Sequence, residues 1–294
     1  MADSDTPFWA KDIPEGAFIS HAPSYKVGTY FSLFEEHIFK NAETGDIRYY
    51  VYDPIKHGAS PDGVYPVLFF FHGAGNSLQG INVINYSMAE LYASPAYQKT
   101  IGGAYIVVPV TNERVTADGQ LENGWSGPYY EPVITIKRQF FDAHKANAGK
   151  GFFLGTSDGA FFVWGMLARY SAEMDIAVPV SGGFIPDEEK LAEIQANGTL
   201  ILSMHGKHDE LVPFNDLVTP HLEKLKKFSN IILYHPDWVR NGDGGIAQMN
   251  PGGMQMGQHC LCNQVGANLM FDDGTPYDEV LFPEGMTGWI RDHK

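Results

Sequence analysis

The chain contains 294 residues, 44% of them hydrophobic, which can fill one large core, so we expect a single domain over residues 1–294. A balance of 20 Lys and Arg against 35 Asp and Glu gives a formal net charge of -15, which disfavours nucleic acids and anionic membrane surfaces as partners. No stretch approaches the roughly 20 apolar residues that cross a bilayer, and the first residues lack a basic segment before an apolar core.

The two cysteines, Cys260 and Cys262, bear on the compartment of the protein. Residues this close in sequence rarely reach disulfide geometry without strain, so we expect reduced thiols. A chain without a structural disulfide fits the cytoplasm, which we favour, or a secreted protein if a signal peptide has been removed. The oligomeric state is left open.

The predicted elements begin with an extended N-terminal arm over residues 1–25, where Pro, Gly and acidic residues follow no sustained period. A hairpin follows, with strands at 30–40 and 47–53 around the turn-forming residues 41–45. Six further segments are apolar on both faces, as buried parallel strands are, and span residues 66–71, 104–109, 151–154, 176–180, 199–203 and 231–234. Helices are predicted over residues 89–98, 132–145, 160–169, 188–196 and 216–228.

This alternation of strands and helices predicts an α/β fold with a mostly parallel central sheet and helices on both faces. Residues 183–199 are too few for a separate lid domain, so we expect an open site with no large lid. The segment 236–258 is long and has no regular pattern. Such connections are usually functional or mobile, and this one leads directly into His259.

A candidate nucleophile lies in the sequence Gly155-Thr-Ser157-Asp-Gly159, between a predicted strand and an apolar helix. In that setting a G-x-S-x-G pattern forms a nucleophile elbow, a strained turn with the serine at its tip. The two glycines avoid Cβ atoms that would collide with the neighbouring strand and helix. Ser157 is therefore the candidate nucleophile, although a chain with 32 glycines can also produce the pentapeptide by chance.

A candidate oxyanion loop, His72-Gly-Ala-Gly75, ends the predicted strand 66–71. We expect the backbone N–H groups of Ala74 and Asp158 to stabilise the oxyanion of a tetrahedral intermediate, a contribution of about 3–4 kcal/mol per donor in known cases. The alternative is an ordinary glycine turn after a strand. His72 is expected to brace this loop rather than to transfer protons.

The candidate acid is Asp209, which follows the predicted strand 199–203. A carboxylate at that end of a parallel sheet can hold the tautomer of a catalytic histidine and stabilise its imidazolium form. Asp216 is a weaker candidate, which we interpret as a helix N-cap.

The candidate base must follow the last core strand, which leaves His235, His259 and His293. We favour His259, because a long, glycine-rich loop precedes it, whereas His235 lies too close to the strand and His293 lies in the tail. The order Ser157, Asp209, His259 is the chain order of α/β hydrolases.

Two other interpretations of these residues, a metal site and a cysteine nucleophile, are weaker. His, Cys and Asp are common zinc ligands, but two of the candidates already belong to the triad and no C-x-x-C or H-E-x-x-H spacing occurs, so we expect no metal. Cys260 lacks an elbow, so we do not expect it to be the nucleophile. The residues considered as possible metal ligands are His205, His208, Asp209, His259, Cys260 and Cys262.

Candidate substrate-binding residues flank the predicted triad. They are glycines of the oxyanion loop, aromatic residues and methionines that could line an acyl or aryl pocket. They comprise Gly73, Gly75, Trp125, Tyr129, Met254 and Met256.

Several of these segments resemble one group of enzymes, carbohydrate esterase family 1 with the related feruloyl esterases and polyhydroxybutyrate-depolymerase-like esterases. The resemblance lies in residues 71–75, Trp125 with 127–129, 157–164, 167–170, 177–183 and 205–213. It implies an α/β-hydrolase fold and cleavage of acyl esters, for example acetyl or hydroxycinnamoyl groups on plant-derived carbohydrates, without a cofactor.

The chain departs from this group at Asp158, where the group usually carries a neutral residue, and from residue 257 onward. We expect the Asp158 side chain to read a polar or cationic feature of the substrate or to anchor a neighbouring loop. The alternatives to an esterase are a serine peptidase of the prolyl-oligopeptidase-like group and a non-catalytic binding module on the same fold.

Overall fold

The computed structural model describes residues 13–17, 19–21, 26–144, 151–248 and 257–294. In chain order its strands are β1 (Ile19–His21), β2 (Glu35–Phe39), β3 (Ile47–Tyr52), β4 (Val67–Phe71), β5 (Tyr105–Val110), β6 (Arg114–Val115), β7 (Leu121–Glu122), β8 (Phe152–Thr156), β9 (Ile176–Val180), β10 (Leu200–Met204), β11 (Ile231–Tyr234) and β12 (Ile246–Gln248). Its α-helices are α1 (Val83–Tyr86), α2 (Pro95–Ile101), α3 (Tyr130–Ala143), α4 (Asp158–Tyr170), α5 (Glu188–Ala196), α6 (Phe214–Leu217), α7 (Leu222–Leu225), α8 (Leu261–Gly266) and α9 (Gly285–His293).

The central sheet has eight strands in the order β11, β10, β9, β8, β4, β5, β3, β2. Only the pairs β2–β3 and β3–β5 are antiparallel, so the sheet is mostly parallel, as predicted. The chain moves from β4 toward one edge through β5 and then, from β8 onward, toward the other edge. The carboxyl ends of β4 and β8 therefore flank a switch point, where open α/β sheets form their ligand-binding crevice.

Two hydrophobic cores cover the two faces of the sheet. The five residues of β4 are fully buried, and because successive side chains of a strand alternate in direction, they contribute to both cores. Leu68 and Phe70 pack in the core with α1, α2, α8 and α9, whereas Phe69 and Phe71 pack in the core with α3, α4, α5 and α7. The predicted arrangement of helices on both faces is confirmed. Among the residues described, no helix is long and apolar enough to cross a membrane.

Two of the predicted helices are interrupted. The segment 216–228 consists of α6, a 3-10 turn at Thr219–His221 and α7, because Pro220 cannot donate the backbone hydrogen bond of a continuous helix. The N-cap of α6 is Pro213, so Asp216 lies inside the first turn and is not the N-cap that we predicted. The segment 89–98 is divided at Ser94, which caps α2 by accepting a hydrogen bond from Tyr97 N–H.

The N-terminal arm contacts the segment that precedes His259. Within the predicted arm, β1 pairs in parallel with β12, a strand that the pattern of residues 236–258 did not predict. The Ser20 hydroxyl donates to Asp243 Oδ2 at 2.7 Å and accepts from Asn241 Nδ2 at 3.2 Å. The arm is thereby joined to a loop more than 200 residues away in sequence.

Replacing Ser20 with alanine is expected to destabilise the protein, because Ser20 is buried and the change leaves the amide of Asn241 without this acceptor. The expected loss is about 1–3 kcal/mol of unfolding free energy, measured by denaturant unfolding. Thr29→Ala, at an exposed hydroxyl that donates only to Lys26 O, is the matched control and should change stability little. Equal effects of the two variants would contradict this role of the arm.

Candidate active site

The turn that carries Ser157 connects β8 to α4. Ser157 has φ 53° and ψ -118°, a backbone conformation that costs a non-glycine residue about 1–3 kcal/mol. Its N–H donates to Val180 O at 2.9 Å. A Cβ atom at Gly155 would lie 2.2 Å from Gly159 O, and one at Gly159 would lie 2.2 Å from Phe71 O. Both glycines are therefore needed for the close approach of strand, turn and helix.

A chain of hydrogen bonds joins Ser157, His259 and Asp209. His259 Nδ1 lies 2.8 Å from Asp209 Oδ2 and 3.0 Å from Oδ1, while Nε2 lies 3.0 Å from Ser157 Oγ. A carboxylate can only accept, so Nδ1 carries the proton and Nε2 is free to accept the Ser157 hydroxyl. The structure thus brings together all three residues of the predicted triad.

The Asp209 carboxylate is fully buried and surrounded by donors. Oδ1 accepts the N–H groups of Leu211 at 2.9 Å and Val212 at 2.7 Å, and His205 Nε2 lies 3.3 Å from Oδ2. Burial raises the pKa of Asp209, but the hydrogen bonds from His205 and His259 outweigh burial, and the net pKa is lowered. Asp209 is therefore held as an anion beside His259.

The pKa of His259 moves in the opposite direction. Burial lowers the pKa of this imidazole, but the hydrogen bond and charge of Asp209 outweigh burial and raise it above the usual 6.5. The site thus stabilises an imidazolium, the form that a catalytic base takes when it accepts a proton.

The backbone before His259 is fixed by the side chain of Gln258, which is fully buried. Its Oε1 accepts Val239 N–H at 3.0 Å, and its Nε2 donates to Val239 O at 3.1 Å and Ala247 O at 2.9 Å. Glu210 Oε1 accepts the Gln258 N–H at 3.2 Å. These bonds link the histidine to β12 and to the loop that carries Asp209.

Two backbone N–H groups near Ser157 remain available to a ligand. Gly73 N–H donates to Asn76 Oδ1 at 3.0 Å, and Gly75 N–H donates to Glu113 Oε1 at 2.8 Å. Among the residues that the structure describes, neither the Ala74 N–H nor the Asp158 N–H donates to another group. The oxyanion loop is thus held at the amides on both sides of Ala74.

Buried side chains support the oxyanion loop from below. Besides Gly75, the Glu113 carboxylate accepts the Ser77 hydroxyl at 2.5 Å and the Ser77 N–H at 3.2 Å. His72 Nε2 accepts Thr111 N–H, so its Nδ1 carries the proton and donates to Gly73 O at 2.8 Å. Burial lowers the pKa of His72, which keeps it neutral in this bracing position.

The Asp158 side chain contacts a loop. Its Oδ2 accepts Trp125 N–H at 3.1 Å, and burial raises the pKa of this carboxyl. Trp125 in turn donates from Nε1 to His72 O at 2.9 Å. Of the two roles expected for Asp158, these contacts match the anchoring of a neighbouring loop.

A cleft of about 410 Å³ contains Ser157 and His259. Gly73 and Ala74 line it, and Tyr86, Met88 and Leu211 contribute apolar surface. A larger cavity of about 610 Å³ lies at the amino ends of β4 and β5 and holds none of the predicted triad.

The predicted substrate-binding aromatics lie elsewhere. Trp125 and Tyr129 are buried in the core with Phe71 and Phe162, so they support the oxyanion loop from behind instead of lining the cleft. Their apolar rings are more stable inside that cluster than on an open wall. Gly75 has φ 77°, which favours glycine, and likewise is not part of the cleft wall. Met254 and Met256 lie outside the described residues.

Neither of the other histidines considered as bases lines the cleft that contains Ser157. His235 packs edge-on against Phe214, and burial lowers its pKa to about 4. His293 stacks on Trp289 in α9. Over the part of the chain that the structure describes, no group of three or more His, Cys, Asp or Glu side chains is placed to hold a metal ion.

Comparison with solved structures gives similar folds. A thermostable esterase matches with a TM-score of 0.57 and 24% identity over 71% of this chain, which corresponds to 56% of the esterase chain. The feruloyl esterase module from Clostridium thermocellum, complexed with sinapinate, matches with a TM-score of 0.53 and 11% identity over 86% of this chain and 95% of the module. No protein-family profile and no curated protein sequence matches the chain.

The fold is that of the α/β hydrolases. Three residues that organise the candidate site were missed by sequence reasoning: Glu113, Glu210 and Gln258. Each had a weak signal. Glu113 follows β5 at the carboxyl edge of the sheet, whereas Glu210 and Gln258 are adjacent in sequence to Asp209 and His259.

The Glu210 carboxyl lies next to Asp209 in an environment that disfavours its ionised form. Burial, followed in the same direction by the charge of Asp209, raises its pKa from 4.5 to about 7, and its Oε2 has no partner among the described residues. The folded protein therefore keeps a proton on Glu210 at pH values where the unfolded chain has lost it. Between pH 4.5 and about 7, stability falls as pH rises because of this group.

Glu210→Gln is expected to remove that loss. The unfolding free energy of the variant minus that of wild type should rise by about 1–2 kcal/mol from pH 5 to pH 8. This value is reduced because the side chain is partly exposed. Denaturant unfolding at both pH values measures the gain. Glu279→Gln, at an exposed carboxylate, is the control. A stability difference that is the same at pH 5 and pH 8 would show that Glu210 does not titrate as described.

Proposed function

We propose that the protein is a serine esterase that cleaves carboxylic esters through an acyl-enzyme. One observation carries the proposal: the hydrogen-bond chain from Ser157 through His259 to Asp209 opens into a cleft that also holds the Ala74 loop. Nucleophile, base and orienting acid are thus present beside free backbone donors. Cytoplasmic location and a single domain without a large lid accompany this proposal.

In the acylation step His259 Nε2 accepts the Ser157 hydroxyl proton while Oγ attacks the ester carbonyl carbon. The Asp209 carboxylate stabilises the resulting imidazolium through Nδ1. The N–H groups of Ala74 and Asp158 donate to the oxyanion, and the position of Asp158 at the first residue of α4 adds the positive end of the helix dipole. The imidazolium then protonates the leaving alcohol.

In the deacylation step water takes the place of the alcohol. His259 accepts its proton, hydroxide adds to the acyl carbon, and collapse of the second tetrahedral intermediate returns the proton to Ser157. Each of these steps uses only side chains and backbone groups of the protein and requires no cofactor.

The substrate class follows from the size and surface of the cleft. A volume of about 410 Å³ with apolar surface from Tyr86, Met88 and Leu211 suits short-chain, acetyl or hydroxycinnamoyl groups. The alcohol is a small molecule or a carbohydrate. The names of the two similar structures, an esterase and a feruloyl esterase module, support the same class.

Ser157→Ala is expected to lower kcat for aryl esters by at least about 1,000-fold, because it removes the nucleophile and leaves only binding and the oxyanion donors. A panel of aryl esters from acetyl to feruloyl measures this and sizes the acyl pocket. Ser229→Ala, at an exposed serine before β11, is the control and should keep wild-type rates. A wild-type protein that folds but hydrolyses no ester and binds no serine-reactive phosphonate at Ser157 would overturn the esterase proposal in favour of a binding module.

Glu113→Gln tests the support of the oxyanion loop. The glutamine side chain at position 113 has one acceptor oxygen, which can accept the N–H of either Gly75 or Ser77. Its NH2 group then faces the other N–H, so the Ala74 peptide should shift. We expect kcat to fall about tenfold or more with KM nearly unchanged, since the loop acts mainly in the transition state. Glu122→Gln, at an exposed carboxylate paired with Arg114, provides the comparison. A change in KM alone would argue against this role.

A further inference from the structure

Two thiols lie in the wall of the cleft. Cys260 and Cys262 line it together with Ser157 and His259, and both are half-buried and free. Cys260 is the N-cap of α8 and Cys262 lies in its first turn, directly after His259 in the chain. The hydrolytic steps use neither of them, so their presence beside the reacting atoms is unexplained by catalysis.

The surroundings of the two thiols differ. Hydrogen bonds from the Cys260 thiol, the Thr156 hydroxyl and the Asn263 N–H reach the sulfur of Cys262. The Cys262 thiol itself donates to Asn263 Oδ1 at 4.0 Å. The hydrogen bond from Cys260, the contacts from Thr156 and Asn263 and the nearby His259 together outweigh burial and lower the pKa of Cys262 to about 7. The pKa of Cys260 is raised by the same hydrogen bond and by burial. The remaining titratable groups that face the pair, Asp209 and Glu210, are acidic and act in the raising direction on Cys260.

We propose that Cys262 is a modification site for small hydroperoxides that enter the cleft, with Cys260 as the hydrogen-bond donor that activates it. Thiolates react with hydroperoxides where they are accessible, and the cleft gives access to Cys262. The sulfur attacks the terminal peroxide oxygen, an S–O bond forms and the O–O bond breaks. Cysteine is oxidised to sulfenic acid, and the hydroperoxide is reduced to an alcohol or, from hydrogen peroxide, to water, with the proton supplied by solvent.

The modification has a consequence for hydrolysis, which rests on the proposed function. An added oxygen on Cys262 occupies cleft volume next to His259 and offers the imidazole a new acceptor. Displacement of a catalytic group by about 1 Å can cost 100-fold in rate. Oxidation at Cys262 therefore switches the esterase off, and reduction by a thiol restores it.

The site is tested by mass spectrometry, independently of any activity. Folded protein is treated with hydrogen peroxide in the presence of dimedone, which traps sulfenic acids, and the adduct is located by peptide mass. We expect one adduct, on Cys262, in wild type and none in Cys262→Ser. In Cys260→Ala we expect the adduct to form several-fold more slowly, because alanine has no group that can donate to the sulfur of Cys262. An adduct mainly on Cys260 in wild type, or equal rates in wild type and Cys260→Ala, overturns the proposal.

The switch is tested on the same samples without dimedone. Peroxide should lower the ester hydrolysis of wild type at least about tenfold, with recovery in dithiothreitol. Cys262→Ser should keep its own untreated rate within about twofold. Equal inactivation of wild type and Cys262→Ser overturns the switch. If no ester is hydrolysed by any variant, the mass readout still decides the modification site, so failure of the esterase proposal is distinguishable.

Discussion

The parallel pairing of β4 with β8 is the constraint on which the site depends. Phe71 stands opposite Gly155, so the strand that leads to Ala74 and the strand that leads to Ser157 end side by side. Gly159 then packs directly against Phe71 O, which leaves no room for a Cβ atom. The strained Ser157 backbone is compatible with folding because these two fully buried strands hold the turn from both sides.

Three buried or half-buried carboxylates organise the site, and each one has a different set of partners. Asp209 accepts enough donors to stay ionised. Both oxygens of Glu113 accept hydrogen bonds, from Gly75 and from Ser77, and so hold a loop. Glu210 has one acceptor bond and an unpaired oxygen. Desolvation therefore raises the pKa of Glu210 to about 7, and this group makes stability depend on pH near neutrality.

The thiol pair lies in the same cleft as the candidate triad, so the proposed modification and the proposed hydrolysis share one site. Cys262 contributes to the raised pKa of His259, and His259 contributes to the lowered pKa of Cys262, so the two groups share one electrostatic environment. Because both cysteines line the same cleft as Ser157, a modification of Cys262 changes the space in which a substrate would bind. Close packing in this region transmits such a change without movement of the sheet.

The amino-acid sequence by itself determined the alternation of strands and helices, the elbow at Ser157 and the choice of Asp209 and His259, because these follow from local periodicity, glycine spacing and chain order. It did not reveal that Trp125 and Tyr129 pack in the core, that Glu113 holds the oxyanion loop 38 residues away, or that β1 pairs with β12. Those outcomes were decided only by the tertiary structure. A polar or aromatic side chain looks the same in sequence whether it lines a cleft or supports it, and its role depends on which distant backbone groups burial leaves in need of a partner.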